Sequence, residues 1–235
     1  MILALRIDDI GAAIEHYRTV IARDAEVPDA RLELAEVLIA DGKVEAAEPV
    51  LDALLEREPD NLKGRLARLW IRLDHGELEQ LEMDIYDLRQ ESPNNALVQI
   101  RIARVYKAMG DRDNARLMLR RTGKNAGFDT DQLYKLALEQ LALGDAAGAH
   151  WSVLKALEGN ARHLGALACR VVVLIALDRL EEAKQALAEL KAVYPQRSET
   201  RLAEGDLMTA THDLNGAVRA FAAAYRLLPT RATVR

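Results

Sequence analysis

Five histidines (His16, His75, His150, His163 and His212), a single cysteine (Cys169) and adjacent carboxylates such as Glu181 and Glu182 are the residues of this chain best suited to metal or acid-base chemistry. Metal sites draw ligands at short separations, a few residues apart in a loop or four apart on a helix face, and these histidines show no such spacing. Glu181 and Glu182 open a helix-forming stretch, where acids favour the helix dipole and need no catalytic explanation. No glycine-rich phosphate loop follows a strand-like run, and no nucleophile elbow is present. Cys169 sits in an apolar run, where cysteine usually packs as a small hydrophobe, and alone it cannot close an internal disulfide. The expectation is no catalytic residue, no metal and no cofactor, with function carried by the surface.

What positions that surface begins with composition. The chain has 235 residues, 50% hydrophobic and 29% charged but only 4% aromatic. That is too apolar for disorder, and its richness in Ala, Leu, Glu and Arg suits helices packed through small contacts. A net charge of −5 gives no bulk electrostatic reason to expect nucleic acid or an anionic membrane. The longest apolar run, Val171 to Leu177, is far below the roughly 18–20 residues of a spanning helix. The opening "MILALRIDDI" is too short in apolar residues for the roughly 7–15 of a signal core, so no export signal is expected within it.

Self-similarity organises the rest. Alanines recur every 34 residues at Ala13, Ala47, Ala115, Ala149, Ala183 and Ala217, with Leu81 alone breaking the series. Four residues after each comes a larger side chain: Tyr17, Leu51, Ile85, Leu119, Val153, Leu187 and Phe221. Five residues before the small slot lie Gly42, Gly76, Gly110 and Gly144, with Asp8, Asp178 and His212 in the other copies, marking a tight turn between two helices. Pro59, Pro93, Pro195 and Pro229 then end the second helix. A small residue lets helices approach closely, and the larger one fills the groove beside it.

This cadence resembles the tetratricopeptide repeat (TPR) family, and Leu34-Ala35 with Leu38, Ile102-Ala103 with Tyr106, Leu136-Ala137, and Gly205 with Met208 carry its first-helix pattern. The resemblance implies an all-α fold, a right-handed α-solenoid of about seven 34-residue helix-turn-helix units. It divides a single array, residues 1–235, into a partial repeat 1–27, full repeats 28–61, 62–95, 96–129, 130–163, 164–197 and 198–231, and the start of another at 232–235. Neither end carries a polar capping repeat, so the reading is a piece of a longer array with self-association through its uncapped ends in view.

The resemblance further implies that the first helices line a groove for a partner protein or peptide, with no nucleic acid and no direct membrane insertion. Its groove positions fall here on Glu33, Glu36, Trp70, Arg101, Arg104, Lys107, Tyr134, Lys135, Leu138, Leu141, Val172 and Ile175. The ninth position of each repeat passes from Glu36 through Trp70 and Arg104 to Leu138, Val172 and Asp206. Charge follows the same course: repeat 28–61 holds three basic and ten acidic residues, and repeat 96–129 holds eight basic and three acidic. Such asymmetry can steer a partner and set its direction. The Lys and Asn pattern of the family's carboxylate clamp fits no repeat.

Two departures stand out. In "GRLARLWIRLDHG" Arg68 and Arg72 occupy positions expected to be apolar, and Leu66, Leu69, Trp70 and Leu73 form a good apolar face if that helix is displaced by one residue. Pro49 interrupts "VEAAEPVLDALL", where a bend is expected but not a break. Residues 200–235 also resemble the long TPR lipoproteins of bacterial PEP-CTERM sorting and exopolysaccharide systems, through a G-D-L…AY-x-L-x-P-T cadence. That resemblance implies a scaffold at the bacterial envelope, periplasmic or envelope-associated, assisting export of surface polymer. The alternative of another class is a cytoplasmic recruitment or regulatory module of an enzyme or transcription regulator.

Overall fold

The computed structural model describes residues 7–24, 27–123 and 128–227. All regular structure among them is helical, a solenoid of repeated helix pairs with no strand. The chain divides into two compact bodies, residues 1–111 and 112–235. The first holds α1 (Ile7–Arg23), α2 (Pro28–Ala40), α3 (Val44–Arg57), α4 (Leu62–His75), α5 (Leu78–Glu91) and α6 (Ala96–Ala108). The second holds α7 (Arg112–Gly123), α8 (Thr130–Ala142), α9 (Ala146–Gly159), α10 (Leu164–Ala176), α11 (Leu180–Val193), α12 (Ser198–Ala210) and α13 (Leu214–Leu227). From α2 onward, first helices and second helices each begin 34 residues after the last of their kind.

The turn between paired helices explains that regularity. Gly42, Gly76, Gly110 and Gly144 have φ of 71–84°, and Asp178 and His212 adopt the same left-handed geometry at 58° and 63°. In all six turns the next residue donates its N–H to the carbonyl five residues back, as Lys43 does to Leu38 at 2.9 Å and Asp145 to Gln140 at 2.8 Å. This satisfies a carbonyl that the helix end leaves orphaned, and it requires the left-handed residue. Helix starts are capped where a suitable side chain precedes them. Asn61 accepts from the Gly64 N–H at 2.9 Å, Asp129 from Gln132 at 2.7 Å, and His163 Nδ1 from Ala166 at 3.0 Å. Each such cap satisfies one orphan donor.

The core runs along the small slots. Ala47, Ala115, Ala149 and Ala183 on the second helices are fully buried, and Ala35, Ala103, Ala137 and Val171 at the equivalent slot of the first helices are buried too. In the last repeat that slot is Gly205, where a Cβ would stand 2.5 Å from the Phe221 ring. In the repeat at 62–95 both slots are leucine, Leu69 and Leu81, each fully buried, and α4 and α5 approach less closely than α2 and α3 or α8 and α9 do. Larger residues at the contact widen the interhelical separation.

The one-residue displacement expected of α4 does not occur. The helix starts at Leu62 in the common phase and puts Leu69 in the buried slot. Arg68 and Arg72 keep the positions held by Leu34 and Leu38 in the repeat before, because each finds a carboxylate: Arg68 pairs with Asp52 of α3, and Arg72 with Asp84 of α5 at 2.6 Å and with Glu77 at 3.2 Å. Their aliphatic stems supply packing while the guanidinium groups reach the rim. Helix α3 runs unbroken through Pro49.

The turn makes a direct prediction. A non-glycine residue in the left-handed region costs about 1–2 kcal/mol, against about 0.5–1 kcal/mol for the added freedom of unfolded glycine. His212→Gly should therefore stabilise the protein by about 0.5 kcal/mol or more in urea unfolding, and Gly76→Ala should destabilise it by about 1 kcal/mol. A loss of stability in His212→Gly would contradict the turn assignment.

Candidate functional site

The first helices present one side chain each at the ninth position of the repeat. Glu36, Trp70, Arg104, Leu138, Val172 and Asp206 are all half-buried, whatever their chemistry. The preceding residue in each helix is buried in the small slot, so helical geometry sets the ninth on the shoulder of the exposed face.

In the body formed by residues 1–111, that face carries opposed charges over an apolar floor. Arg101 Nη2 of α6 donates to Glu36 Oε1 of α2 at 2.7 Å, spanning 65 residues of sequence and bridging the helices that flank α4. Both side chains remain about a quarter to a third exposed. Glu33, Glu36, Lys63 and Arg101 surround a hollow of about 140 Å³ floored by Leu32, Leu66 and Leu97. Small-molecule sites usually run to roughly 300–1,000 Å³, so this hollow suits a side chain or two of a peptide better than a metabolite. Glu33 and Lys63 are exposed. Of the sequence-derived groove residues, Glu33, Glu36 and Arg101 come together here. Trp70, Arg104 and Lys107 lie on α4 and α6 outside the hollow's lining, half-buried, half-buried and exposed respectively. Leu32, Lys63, Leu66 and Leu97 complete the lining and are not among the groove residues expected from the sequence. Their signal was available, since they occupy the second and fifth positions of their repeats, which the family pattern assigns to the groove.

In the body formed by residues 112–235, the face of the first helices is apolar. Tyr134, Leu138 and Leu141 of α8 are half-buried against a cluster of Ala137, Ala149, Val153, Cys169 and Val173. Ile175 packs on the neighbouring cluster around Val171, Leu174 and Leu187, Val172 is half-buried, and Lys135 is exposed. The Tyr134 ring lies 5.2 Å from that of His163, and burial pushes its phenol above the usual range. Asp206 continues the line on α12, and burial raises its carboxyl too. Cys169 is buried, and desolvation pushes its thiol up to about 12, which makes it a packing residue and a poor nucleophile.

Part of the basic charge of residues 96–129 is engaged in holding helices together. Arg116 donates twice to the Leu143 carbonyl, at 2.7 and 3.1 Å. Arg120 makes a forked contact with Asp145 at 2.9 and 3.2 Å, and Asp145 also caps α9 through the Gly148 N–H. Two arginines of α7 thereby fasten the turn between α8 and α9, by charge-assisted and forked bonds of the kind arginine favours. A buried Ser152 hydroxyl donates to Gln140 Oε1 at 2.7 Å inside the same helix pair. Among the described residues no group of three or more His, Cys, Asp or Glu is placed to hold a metal ion, and no helix is long and apolar enough to cross a membrane.

The Arg120 contact holds the Asp145 carboxyl below its usual value near 3.8. The folded state then binds fewer protons than the unfolded one, so this contribution is present above the unfolded value and lost as pH falls through the lowered one. Asp145→Asn should reduce the urea midpoint at neutral pH and flatten its decline as the pH falls below about 5 relative to the parent. An unchanged acid limb in Asp145→Asn would show that the pair contributes nothing to stability.

The tetratricopeptide repeat family matches residues 5–75 and, through a second model of the same description, residues 98–126. No curated protein matches the sequence. Among solved structures, pilF of Pseudomonas aeruginosa is similar at 17% identity and a TM-score of 0.52, covering 87% of this chain and 93% of its own. A tetratricopeptide repeat protein from Parabacteroides merdae is similar at 13% identity and a TM-score of 0.55, covering 96% of this chain and 89% of its own. Yeast Tom70 is similar at 12% identity and a TM-score of 0.56, covering 95% of this chain and 56% of its own. At these identities the likeness is one of fold. The two family matches, the 34-residue helix pairs and the fold of these neighbours together support the tetratricopeptide repeat superfamily for this chain.

Proposed function

We propose that the protein is a non-catalytic scaffold that binds an extended peptide segment of a partner protein across its first helices. The observation that carries this reading is the hollow in residues 1–111, where exposed Glu33 and Lys63 and the Glu36–Arg101 bridge surround a leucine floor. An apolar side chain seated on Leu32, Leu66 and Leu97 would gain burial. Charges on either side of it would meet opposite charge on the rim, which sets direction more than affinity. In residues 112–235, the half-buried side chains of Leu138, Val172 and Asp206, at one position of successive repeats, run from apolar to acidic.

The C-terminal cadence supports the further reading that this scaffold serves a bacterial envelope assembly exporting exopolysaccharide or surface protein. One experiment addresses both readings. The protein is used to capture partners separately from envelope and cytosolic extracts, in parallel with a Glu33→Lys/Lys63→Glu double variant whose helical content is checked by circular dichroism. The expected result is a partner retained from the envelope extract by the parent and reduced at least tenfold with the variant. Equal recovery by both proteins would sink the groove assignment, and recovery from the cytosolic extract alone would sink the envelope reading.

A further inference from the structure

Two grooves between successive second helices, side by side in the body formed by residues 1–111, differ in how they are filled. Between α3 and α5 the groove is occupied by charge: Arg68 reaches Asp52, Arg72 reaches Asp84 at 2.6 Å, and Arg65 forks onto Glu91. One repeat earlier, between α1 and α3, the 34-residue period puts Arg18, Leu34 and Val50 in the places of Asp52, Arg68 and Asp84. It also puts Leu38 in the place of Arg72, and Arg57 in that of Glu91, so none of the three ion pairs can form there. What remains is a groove of about 370 Å³, against about 180 Å³ for the hollow between α3 and α5. Ile21 of α1, Leu34 of α2 and Val50 and Ala53 of α3 give it apolar walls and floor, and Arg18 and Arg31 are the charged residues among the described residues that line it. Ala22 and Pro49 at its edge are exposed, so it opens to solvent. Arg31 is buried, while Arg18 donates to Glu15 at 2.9 Å in a pair whose side chains are 55% and 72% exposed, a weak and exchangeable contact.

We propose that this groove is a second docking surface, separate from the hollow on the first helices, and that it takes an amphipathic helix of a partner protein whose apolar face is edged by carboxylates. The apolar lining favours large aliphatic side chains, which gain burial on it. Charge complementarity fixes the rest of the chemistry: the lining offers two guanidinium groups and no carboxylate, and the guanidinium fork matches a carboxylate. The shape selects a helix over a free small molecule. Small-molecule sites of roughly 300–1,000 Å³ enclose most of their ligand, whereas this groove is open and needs an occupant whose own body supplies the missing wall. A trough between two helices receives the ridge of a third, presenting anchors three and four residues apart. The groove shares no lining residue with the hollow of Glu33, Lys63 and Leu97, so the proposal stands apart from the peptide site there.

Fluorescence anisotropy on the full chain tests the proposal with labelled helical peptides that carry leucine at every third or fourth position and either glutamate or lysine along the flanks. The glutamate peptides should bind, and the lysine peptides should bind at least tenfold more weakly. Val50→Asp and Arg18→Asp should each weaken the glutamate peptides at least tenfold. Both changes install the residue that the next repeat carries at that place, Asp84 and Asp52, so circular dichroism should show helical content retained. The Glu33→Lys/Lys63→Glu double variant should bind these peptides as the parent does, which separates this groove from the first-helix hollow. Vesicles of phosphatidylglycerol form a parallel arm. No binding of the glutamate peptides, equal binding of the lysine peptides, indifference to both groove variants, loss of binding in the Glu33→Lys/Lys63→Glu variant, or vesicle binding in place of peptide binding would each overturn it.

Discussion

Close approach of helices at the small slots is the constraint on which the rest of this structure depends. Ala35, Ala103 and Ala137 on first helices and Ala47, Ala115 and Ala149 on second helices are buried without a side chain long enough to hold the backbones apart. Interhelical distance follows the residues at the contact, and interiors packed to crystal-like density respond to single methylenes. Once that distance is set, the left-handed turn and the short connections leave little freedom in how the next helix is placed. The ninth-position side chain, one residue past the small slot, is then half-buried in every repeat, whether it is glutamate, tryptophan, arginine, leucine, valine or aspartate. Chemistry at that position varies freely because the backbone does not depend on it, and that freedom suits a recognition surface.

The fold was legible because each periodic position answers a separate physical need. A turn needs a left-handed residue, a contact needs a small one, and a helix end tolerates proline. The period marks Asp178 and His212 as turn residues although their types do not announce it, and their φ values of 58° and 63° agree, whereas Asp8, at the same place in the period, lies inside α1. Local pattern misled where it was read without partners. The arginines of α4 suggested a shifted helix, yet Asp52 and Asp84 receive them in the unshifted phase. Net charge by repeat had the same weakness, because Arg116 and Arg120 are spent on the turn between α8 and α9.

The candidate site was legible in part. Periodicity could say which residues share the face of the first helices, and the family resemblance could say that this face is the one used. It could not say that Glu36 and Arg101, 65 residues apart, meet across α4, since that depends on how three helices stack. Lys63 and Leu97 become rim and floor of the hollow for the same reason.

The central claim is that tight small-slot contacts, and not overall helix propensity, hold the repeats in register. Equilibrium urea unfolding of Ala149→Leu beside Ala188→Leu tests it most directly, since both changes put the same good helix former on a second helix. Ala149 is fully buried between helices and Ala188 is exposed on α11. The account predicts a loss of about 1–3 kcal/mol for Ala149→Leu from overpacking, and a change within about 0.5 kcal/mol for Ala188→Leu. Equal stability of the two variants would contradict it.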